Sequence, residues 1–507
     1  MLRRCVTVGG KRISVSSWSK RRYATEVVSG ISLNDGAPTI APIKPSLWGQ
    51  PTYKSHPTLL RPNELTPGIT SEEYERRRAA LMNGLPDNSI VILVAGSVKY
   101  MSQRTCYSFR QASDFWYLTG FQEPDTAVIL EKNSSSRGYK MTMFCGRKHA
   151  EYEKWNGPRS GFEAAISIFG ADDARDIIHF PSHLKSVVTS YSNVYVDVPA
   201  SKRRRSLLQY LSNQVAPKTE YESIIDALSS SRRRPLASEI IKLRTIKSPA
   251  EKRMMRLAAD ISGNAHADIM RFGEPGRSEA DIAAHFQYRC LLNGAQRLAY
   301  VPVVASGPNA LIIHYTANDQ LINSDELVLV DAGCEYNGYA SDITRTWPAS
   351  GKFTAPQRDL YQAILNAQKQ CIDLCTGKSG LSLHDLHRRS CQFLSTELRQ
   401  IGFELHTGDL ERILYPHFLT HPIGIDLHES SIDRADSIKS GMVITIEPGL
   451  YVPPDPRFPK HFHNIGIRIE DEVLVEQDYP VVLSVNAPKE IVDVEGACQG
   501  VLDIARQ

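Results

Sequence analysis

Several short stretches in the second half of the chain alternate between apolar and polar residues with period two. This is the pattern of half-buried strands. Glu326 to Ala332 reads ELVLVDA, a short apolar run, and Tyr339 to Trp347 reads YASDITRTW. Asn337-Gly338 between them is a two-residue hairpin signal. A hairpin closed there sets Asp331 opposite Thr344 and Asp342 opposite Gly333. The two aspartates then share one sheet face as diagonal neighbours, about 7–8 Å apart. In Val443 to Glu447, VITIE, period two sends Ile444 and Ile446 one way and Thr445 and Glu447 the other. In Ile465 to Glu470, IGIRIE, three isoleucines oppose Arg468 and Glu470.

Elsewhere Ser89 to Gly96, SIVILVAG, reads as a buried strand. Ser248-Pro249 supplies an N-cap and a first-turn proline. Thr354-Ala355-Pro356 opens a helix toward Leu374, and Ser382 opens another that stops at Gly402. With 507 residues the chain exceeds one ordinary core, so two domains with tails are expected. The predicted division is a leader over 1–23, a linker over 24–47, an amino-terminal domain over 48–230, a catalytic domain over 238–487 and a tail over 488–507. The basic run Ser231 to Pro235 reads as a solvated boundary.

Composition narrows the class. The chain is 42% hydrophobic and 23% charged, and no apolar run approaches the ~18 residues of a membrane span. Nine cysteines, an odd number without CxxC, fit a reducing compartment. Cys371 and Cys375 sit one helical turn apart and read as a shared face. The net charge of +3 is a property of the leader: residues 1–23 hold seven of the 59 basic residues and no acid, and the remaining 52 face 56 acids. That balance gives no case for a nucleic-acid partner. There is no Walker loop, no GxGxxG after a strand and no GxSxG.

The chemistry concentrates in Asp331, Asp342, His421, Glu447 and Glu470. Alone, an aspartate after a strand is a turn or cap residue and a glutamate on an outer face is solvated. Together, four carboxylates and one imidazole in one pocket carry about four negative charges, which demand cations. Two divalent ions satisfy that demand and make a hydrolytic centre. His384 and His387, three residues apart on one helix, lack an acidic partner set and read as surface imidazoles.

These contexts resemble the pita-bread metallopeptidases: aminopeptidase P, prolidase and methionine aminopeptidase. The resemblance rests on Asp331 and Asp342 in VDAGCEYNGYASDITRTWP, His421 and His428 in THPIGIDLHE, Glu447 in ITIEPGLYV, Glu470 in IRIEDEV and His314 in IIHYTAND. Phe109 to Phe121, FRQASDFWYLTGF, resembles the amino-terminal domain that methionine aminopeptidases lack, so the aminopeptidase P branch is the nearer one. The resemblance spans roughly 48 to 490. It implies an α+β fold, a carboxy-terminal pita-bread (creatinase/aminopeptidase) domain behind an α/β aminopeptidase P domain. It also implies the roles. Asp331 holds one ion, Asp342 and Glu470 bridge, and His421 and Glu447 complete the second. The oxygen-rich set favours manganese, with cobalt, zinc or magnesium as alternatives. Glu447 shuttles a proton, and His314 and His428 stabilise or orient the scissile group. His417, one helical turn before His421, resembles a substrate-pocket residue of that branch, and Arg468, on the face of Glu470, is placed to pin a carboxylate or line the leaving-group pocket; a packed core histidine and a structural Arg–acid pair are the competing readings. Trp155 and Arg159, in EYEKWNGPRSG, are expected either to border a neighbouring subunit's cleft or simply to pack.

The implied activity is removal of a single residue from peptide or protein N-termini by a homodimer. The leader is Arg- and Ser-rich and free of acids until Glu26, the composition of a mitochondrial transit peptide. Arg21-Arg22-Tyr23-Ala24-Thr25 resembles the substrate motif of mitochondrial intermediate-cleaving aminopeptidases, with a processing cut before Tyr23 followed by removal of Tyr23. The expectation is therefore a matrix enzyme, with a second cytosolic or nuclear pool allowed. The competing readings are a prolidase confined to Xaa-Pro dipeptides and a metal-free binding or chaperone member of the fold.

Overall fold

The computed structural model describes residues 44–197, 219–429 and 433–501. The Arg-rich leader, most of the linker and the last six positions lie outside them. The amino-terminal part is built on a six-stranded mixed sheet of β1 (Ser89–Val94), β2 (Ala127–Lys132), β3 (Tyr139–Cys145), β4 (Asp173–Asp176), β5 (Asn193–Val196) and β6 (Arg233–Arg234). The spatial order is β6-β5-β1-β2-β3-β4. The SIVILV run is β1, with β5 and β2 on either side, and this is why it is apolar on both faces. Helix α1 (Ser113–Thr119) buries Phe115, Trp116 and Leu118 beside this sheet.

The basic run is solvated, with Ser231, Arg234 and Pro235 exposed, but it also belongs to the amino-terminal sheet. Arg233 and Arg234 pair in parallel with Val194 and Tyr195 and form the sheet edge. Arg232 donates to the carbonyls of Val188 and Tyr191, which end the preceding turn. An edge strand tolerates long charged side chains because only one of its sides needs a partner.

The remaining chain surrounds two antiparallel systems. Helices α2 (Ala237–Thr245) and α3 (Pro249–Phe272) lead into it, α3 opening on the expected Ser248 cap with Glu251 as reciprocal partner. After α4 (Glu279–Leu292), strands β7 (Val303–Ser306), β8 (Leu327–Asp331) and β11 (Thr344–Pro348) form an antiparallel sheet. The ribbon β9 (Cys334–Tyr336) and β10 (Tyr339–Ala340) projects from it. Asn337 and Gly338 have φ of 47° and 85°, as a primed turn needs. Tyr336 faces Tyr339 and Asp331 faces Thr344, the register predicted above. Bare glycines fit the two tight points. A Cβ on Gly333 would stand 1.8 Å from the Ser341 carbonyl oxygen, and one on Gly338 would stand 2.8 Å from the Trp116 indole.

Helices α5 (Ala355–Asp373) and α6 (Leu383–Gln400) follow, each opened by a capping box at the expected Thr354 and Ser382. Strands β12 (Val443–Ile446), β13 (Gly449–Val452), β14 (Ile465–Arg468) and β15 (Asp471–Val475) complete the second system, β12 pairing with β15 and β13 with β14. Cys371 and Cys375 lie buried in one apolar cluster. The segment after 488 is not a free tail. Ile491, Val494 and Ala497 of α7 (Ile491–Cys498) enter the same core as Val328, Trp347 and Ile467.

One fully buried ion pair ties the two systems together. The Arg345 guanidinium on β11 donates to Asp471 of β15 at 2.7 Å and to the Glu470 carbonyl oxygen at 2.5 Å. Asp471 also accepts from Gln368, Ser484 and Lys489. Burial alone would raise the Asp471 carboxyl, but Arg345 and Lys489 hold it well below the usual carboxylate range. Substituting Arg345→Met leaves that carboxylate buried with one cation. Urea unfolding should then show a stability loss of about 3 kcal/mol, since breaking one side of a buried pair is costly. An unchanged midpoint would show the pair to be dispensable.

Candidate metal centre

The ligand-type side chains arrive on the edges of the two systems. Asp331 ends β8, Asp342 lies two residues before β11, Glu447 follows β12 directly, and Glu470 sits between β14 and β15. His421 lies on an irregular segment held beside β12: its N–H donates to Thr445 Oγ1 at 3.1 Å, and its carbonyl accepts from Thr445 N at 2.9 Å. Their ligand atoms converge. Asp331, Asp342 and Glu470 each offer an oxygen within 4.8 Å of the others, and a ring nitrogen of His421 lies equally close to oxygens of Glu447 and Glu470. Glu470 belongs to both sets. His421 Nε2 lies 3.3 Å from Asp342 and 3.7 Å from Glu447.

A layer of donors holds these groups. The Tyr300 hydroxyl lies 2.6 Å from Asp331 Oδ1 and 2.5 Å from Asp342 Oδ1 and shares its single proton between them, bracing the pair across the hairpin. Burial and the two carboxylates push its phenol well above its ordinary pKa, so it stays a donor. Thr344 donates to Glu470 at 2.6 Å and Thr445 to Glu447 at 3.3 Å. Asp342 N donates to the buried Glu472 at 2.8 Å. His421 Nδ1 donates to the Pro422 carbonyl at 3.1 Å, which leaves Nε2 as the ligand nitrogen facing the carboxylates.

Glu470 and Arg468 are each about 1% exposed. The strand face that is not apolar core is therefore a buried polar cleft rather than solvent. The charge it holds explains the titration behaviour. Burial drives Glu447 up to about 8. Burial and the charges of Asp342, Glu447 and Asp331 drive Glu470 well above its usual value. Asp331 is raised by burial against the pull of Arg468. Burial opposes charge on His421, yet Asp342 and Glu447 outweigh it and lift the imidazole to about 9. Burial would raise Asp342 too, but the hydrogen bond and charge of His421 lower it. Protons thus sit where cations belong. An oxygen-rich donor set with one imidazole fits divalent ions of the manganese, cobalt, zinc and magnesium group.

The other expected residues also have definite places. The His428 ring packs edge-on against His421 with centroids 4.3 Å apart, and His428 groups with Asp342 and His421. His314 is exposed beyond a short helical turn; burial lowers the pKa of both His417 and His428, with Arg468 adding to the first and His421 to the second. His417 Nδ1 donates to the Phe418 carbonyl, so Nε2 accepts from Tyr451 at 3.0 Å. The stretch from His417 to His421 is not helical, so a helical turn is not what relates the two. Arg468 pins a carboxylate: it donates to Asp331 at 2.6 Å, to Tyr451 at 2.7 Å and to Thr344 at 3.0 Å. His387 is no surface imidazole. It stacks on Phe418 at 4.4 Å and accepts from Leu419 N, steadying the approach to His421. Trp155 is 83% exposed, and Arg159 stacks on Tyr152.

Tyr300, Glu472 and the supporting threonines were missed in the sequence reading. Thr344 and Thr445 each lie two residues from a ligand on the same strand face, a signal that was present. Nothing local marks Tyr300, which is 31 residues before Asp331.

Metal binding must displace the protons described above. Calorimetry with Mn²⁺ at neutral pH, in two buffers of different ionisation enthalpy, should show proton release. Affinity should rise with pH as Glu447 and His421 lose their protons near about 8 and about 9. A pH-independent affinity across that interval would contradict this account.

Comparison with known proteins agrees with the geometry. Residues 253–477 match the model of metallopeptidase family M24, and residues 74–195 match that of the aminopeptidase P N-terminal domain. Intermediate cleaving peptidase 55 of Saccharomyces cerevisiae is 37% identical over 491 residues, covering 96% of each chain. Xaa-Pro aminopeptidase 3 of Homo sapiens is 38% identical over 468 residues, covering 89% of this chain and 90% of its own. A crystal structure of Icp55 from Saccharomyces cerevisiae superposes with a TM-score of 0.78 at 38% identity, covering 87% of this chain and 100% of that one.

Proposed function

The chain belongs to metallopeptidase family M24, in the aminopeptidase P branch, and from that premise we propose that it is a dinuclear aminopeptidase trimming mitochondrial precursor proteins by one residue. That it is a metalloaminopeptidase follows from the family itself. The observation that carries the dinuclear reading is the pair of ligand sets meeting at Glu470. In this reading Asp331, Asp342 and Glu470 hold one divalent ion. His421, Glu447, Asp342 and Glu470 hold the other, with manganese as the expected metal.

Bound together, the two ions supply a water nucleophile at neutral pH and polarise the scissile carbonyl. The side chains do the rest. Tyr300 and Arg468 fix Asp331, beside which the free α-amine of the substrate docks, so only the first residue is released. Glu447, oriented by Thr445, takes the proton of the attacking water and returns it to the leaving nitrogen. His428 and His314 face the developing oxyanion from the open side. His417 and Tyr451 extend the Arg468 contact toward the substrate pocket.

Two observations support presequence trimming: the intermediate-cleaving relative spanning 96% of the chain, and the leader sequence Arg21-Arg22-Tyr23-Ala24. The same leader motivates a matrix location and a transit segment over 1–23. We further propose a homodimer. A strict Xaa-Pro specificity is the second reading, favoured by the relatives named Xaa-Pro aminopeptidase 3.

Substituting Glu447→Gln should lower kcat by about 10²–10⁴, and Asp342→Asn should abolish metal-dependent hydrolysis with an unchanged circular dichroism spectrum. Full activity of Asp342→Asn would refute the dinuclear centre. Mitochondrial protein N-termini compared with and without the enzyme decide the substrate. Precursors retaining one extra bulky residue support trimming, whereas changes confined to Xaa-Pro termini support the second reading.

A further inference from the structure

His428 rides on a loop whose start is tied to strands, Ile423 N donating to the Val443 carbonyl of β12 at 3.1 Å and Ala340 N of β10 to the Gly424 carbonyl at 2.8 Å. From Pro422 to Glu429 the chain closes on itself: Glu429 N donates to the Pro422 carbonyl at 3.0 Å, and Gly424 N donates to the Asp426 carbonyl at 3.1 Å. The Glu429 carboxylate folds back inside, accepting from Ile425 N at 3.2 Å. A Cβ on Gly424 would stand 2.3 Å from that carboxylate, so a larger residue there would push the carboxylate from its place.

Two buried cations grip this prop from outside. Lys247 lies 2.7 Å from Glu429 Oε2. Arg244, on α2, reaches Glu429 Oε1 at 2.9 Å and Asp426 at 2.6 Å. The third arm of the same guanidinium meets Asp114 at 2.7 Å. Asp114 belongs to α1 of the amino-terminal domain, and its neighbour Ser113 donates to Asp426 at 2.5 Å. A single planar fork therefore joins the stem of the loop, its middle and the other domain. A lysine has the charge but not the fork.

We propose that Arg244 is a positioning residue for the reaction: through Asp426 and Glu429 it sets the His428 loop against the metal cluster, and through Asp114 it makes the amino-terminal domain part of that support. The inference rests on the role given to His428 above. It assigns to the amino-terminal domain a share in catalysis within one chain.

The test is a double-mutant cycle on the metal-loaded full-length enzyme. His428→Ala, Arg244→Lys and Asp114→Asn are made singly, and each of the latter two is combined with His428→Ala. Arg244→Lys should lower kcat by about 10–100-fold with little change in KM, because small misplacements of a catalytic group are costly. Asp114→Asn, a near-isosteric change, should lower it less, by about 3–10-fold. Metal stoichiometry should stay at the wild-type value in both. Neither change should add to the loss seen in His428→Ala alone. Amide exchange at Ile425 and Glu429 should quicken in both variants while that of β8 is unchanged, which separates a loosened loop from global unfolding. Losses that multiply with that of His428→Ala, or a wild-type kcat in Arg244→Lys, overturn the positioning role. Full kcat in His428→Ala alone overturns the role of His428 itself and the inference with it.

Discussion

Four carboxylates crowded into one buried cleft are the constraint around which this molecule is organised. Left to themselves Asp331, Asp342, Glu447 and Glu470 would repel and take up protons, as Glu447 and Glu470 do here. The protein spends little of its own positive charge on them. Arg468 reaches Asp331, and His421 serves Asp342 and Glu447. The rest of the frame is neutral donors, Tyr300, Thr344 and Thr445, which orient oxygens without cancelling their charge. The deficit that remains is what gives the cleft its appetite for metal. A second layer of full charge, Arg345 against Asp471, sits one residue behind Glu470 and holds its backbone. Strong ion pairing is thus kept for the scaffold, while the working face stays electrostatically hungry.

The cleft is assembled from local rules applied twice. In each antiparallel system the apolar face is buried: Val328, Val330, Ile467 and Ile469 pack together in one core, and Ile444, Ile446 and Val473 of the β12–β15 pair in a second. The polar face then has nowhere to go but inward toward the other system. The ligands also sit where regular pairing ends: after β8, before β11, after β12 and between β14 and β15. A carboxylate at a strand end is held on one side by the ladder and is free to tilt on the other. This suits a site that must bind ions and a substrate amine together.

Much of this was legible from sequence wherever the signal was local. The Asn337-Gly338 turn set the ribbon register, and period two placed Glu447 and Glu470 off the core face. Caps at Ser248, Thr354 and Ser382 marked helix starts. Contacts of long sequence separation were not legible. Tyr300 on Asp342, Arg345 on Asp471 and Arg244 on Asp114 join residues 42, 126 and 130 positions apart, and nothing in their own neighbourhoods distinguishes them from surface residues. The errors share one cause. By sequence alone the basic run at Arg232 to Arg234 and the imidazole of His387 read as simply solvated, because polar residues usually are. Tertiary neighbours used the former as a sheet edge and the latter as a packing plate. The segment from Ile491 to Cys498 reads as tail because three apolar residues make too weak a stripe until a core is present to receive them.

The bare turn at Gly338 carries a mechanical meaning. The ribbon that begins at Asp331 and returns at Asp342 rests its tip on the Trp116 indole, a plate belonging to the other domain. It is a lever with its load at one end and its fulcrum at the other. The amino-terminal domain thus touches the same ribbon that carries two of the carboxylates at its base. Glycine at the tip is what lets the two domains meet at that point without a side chain between them.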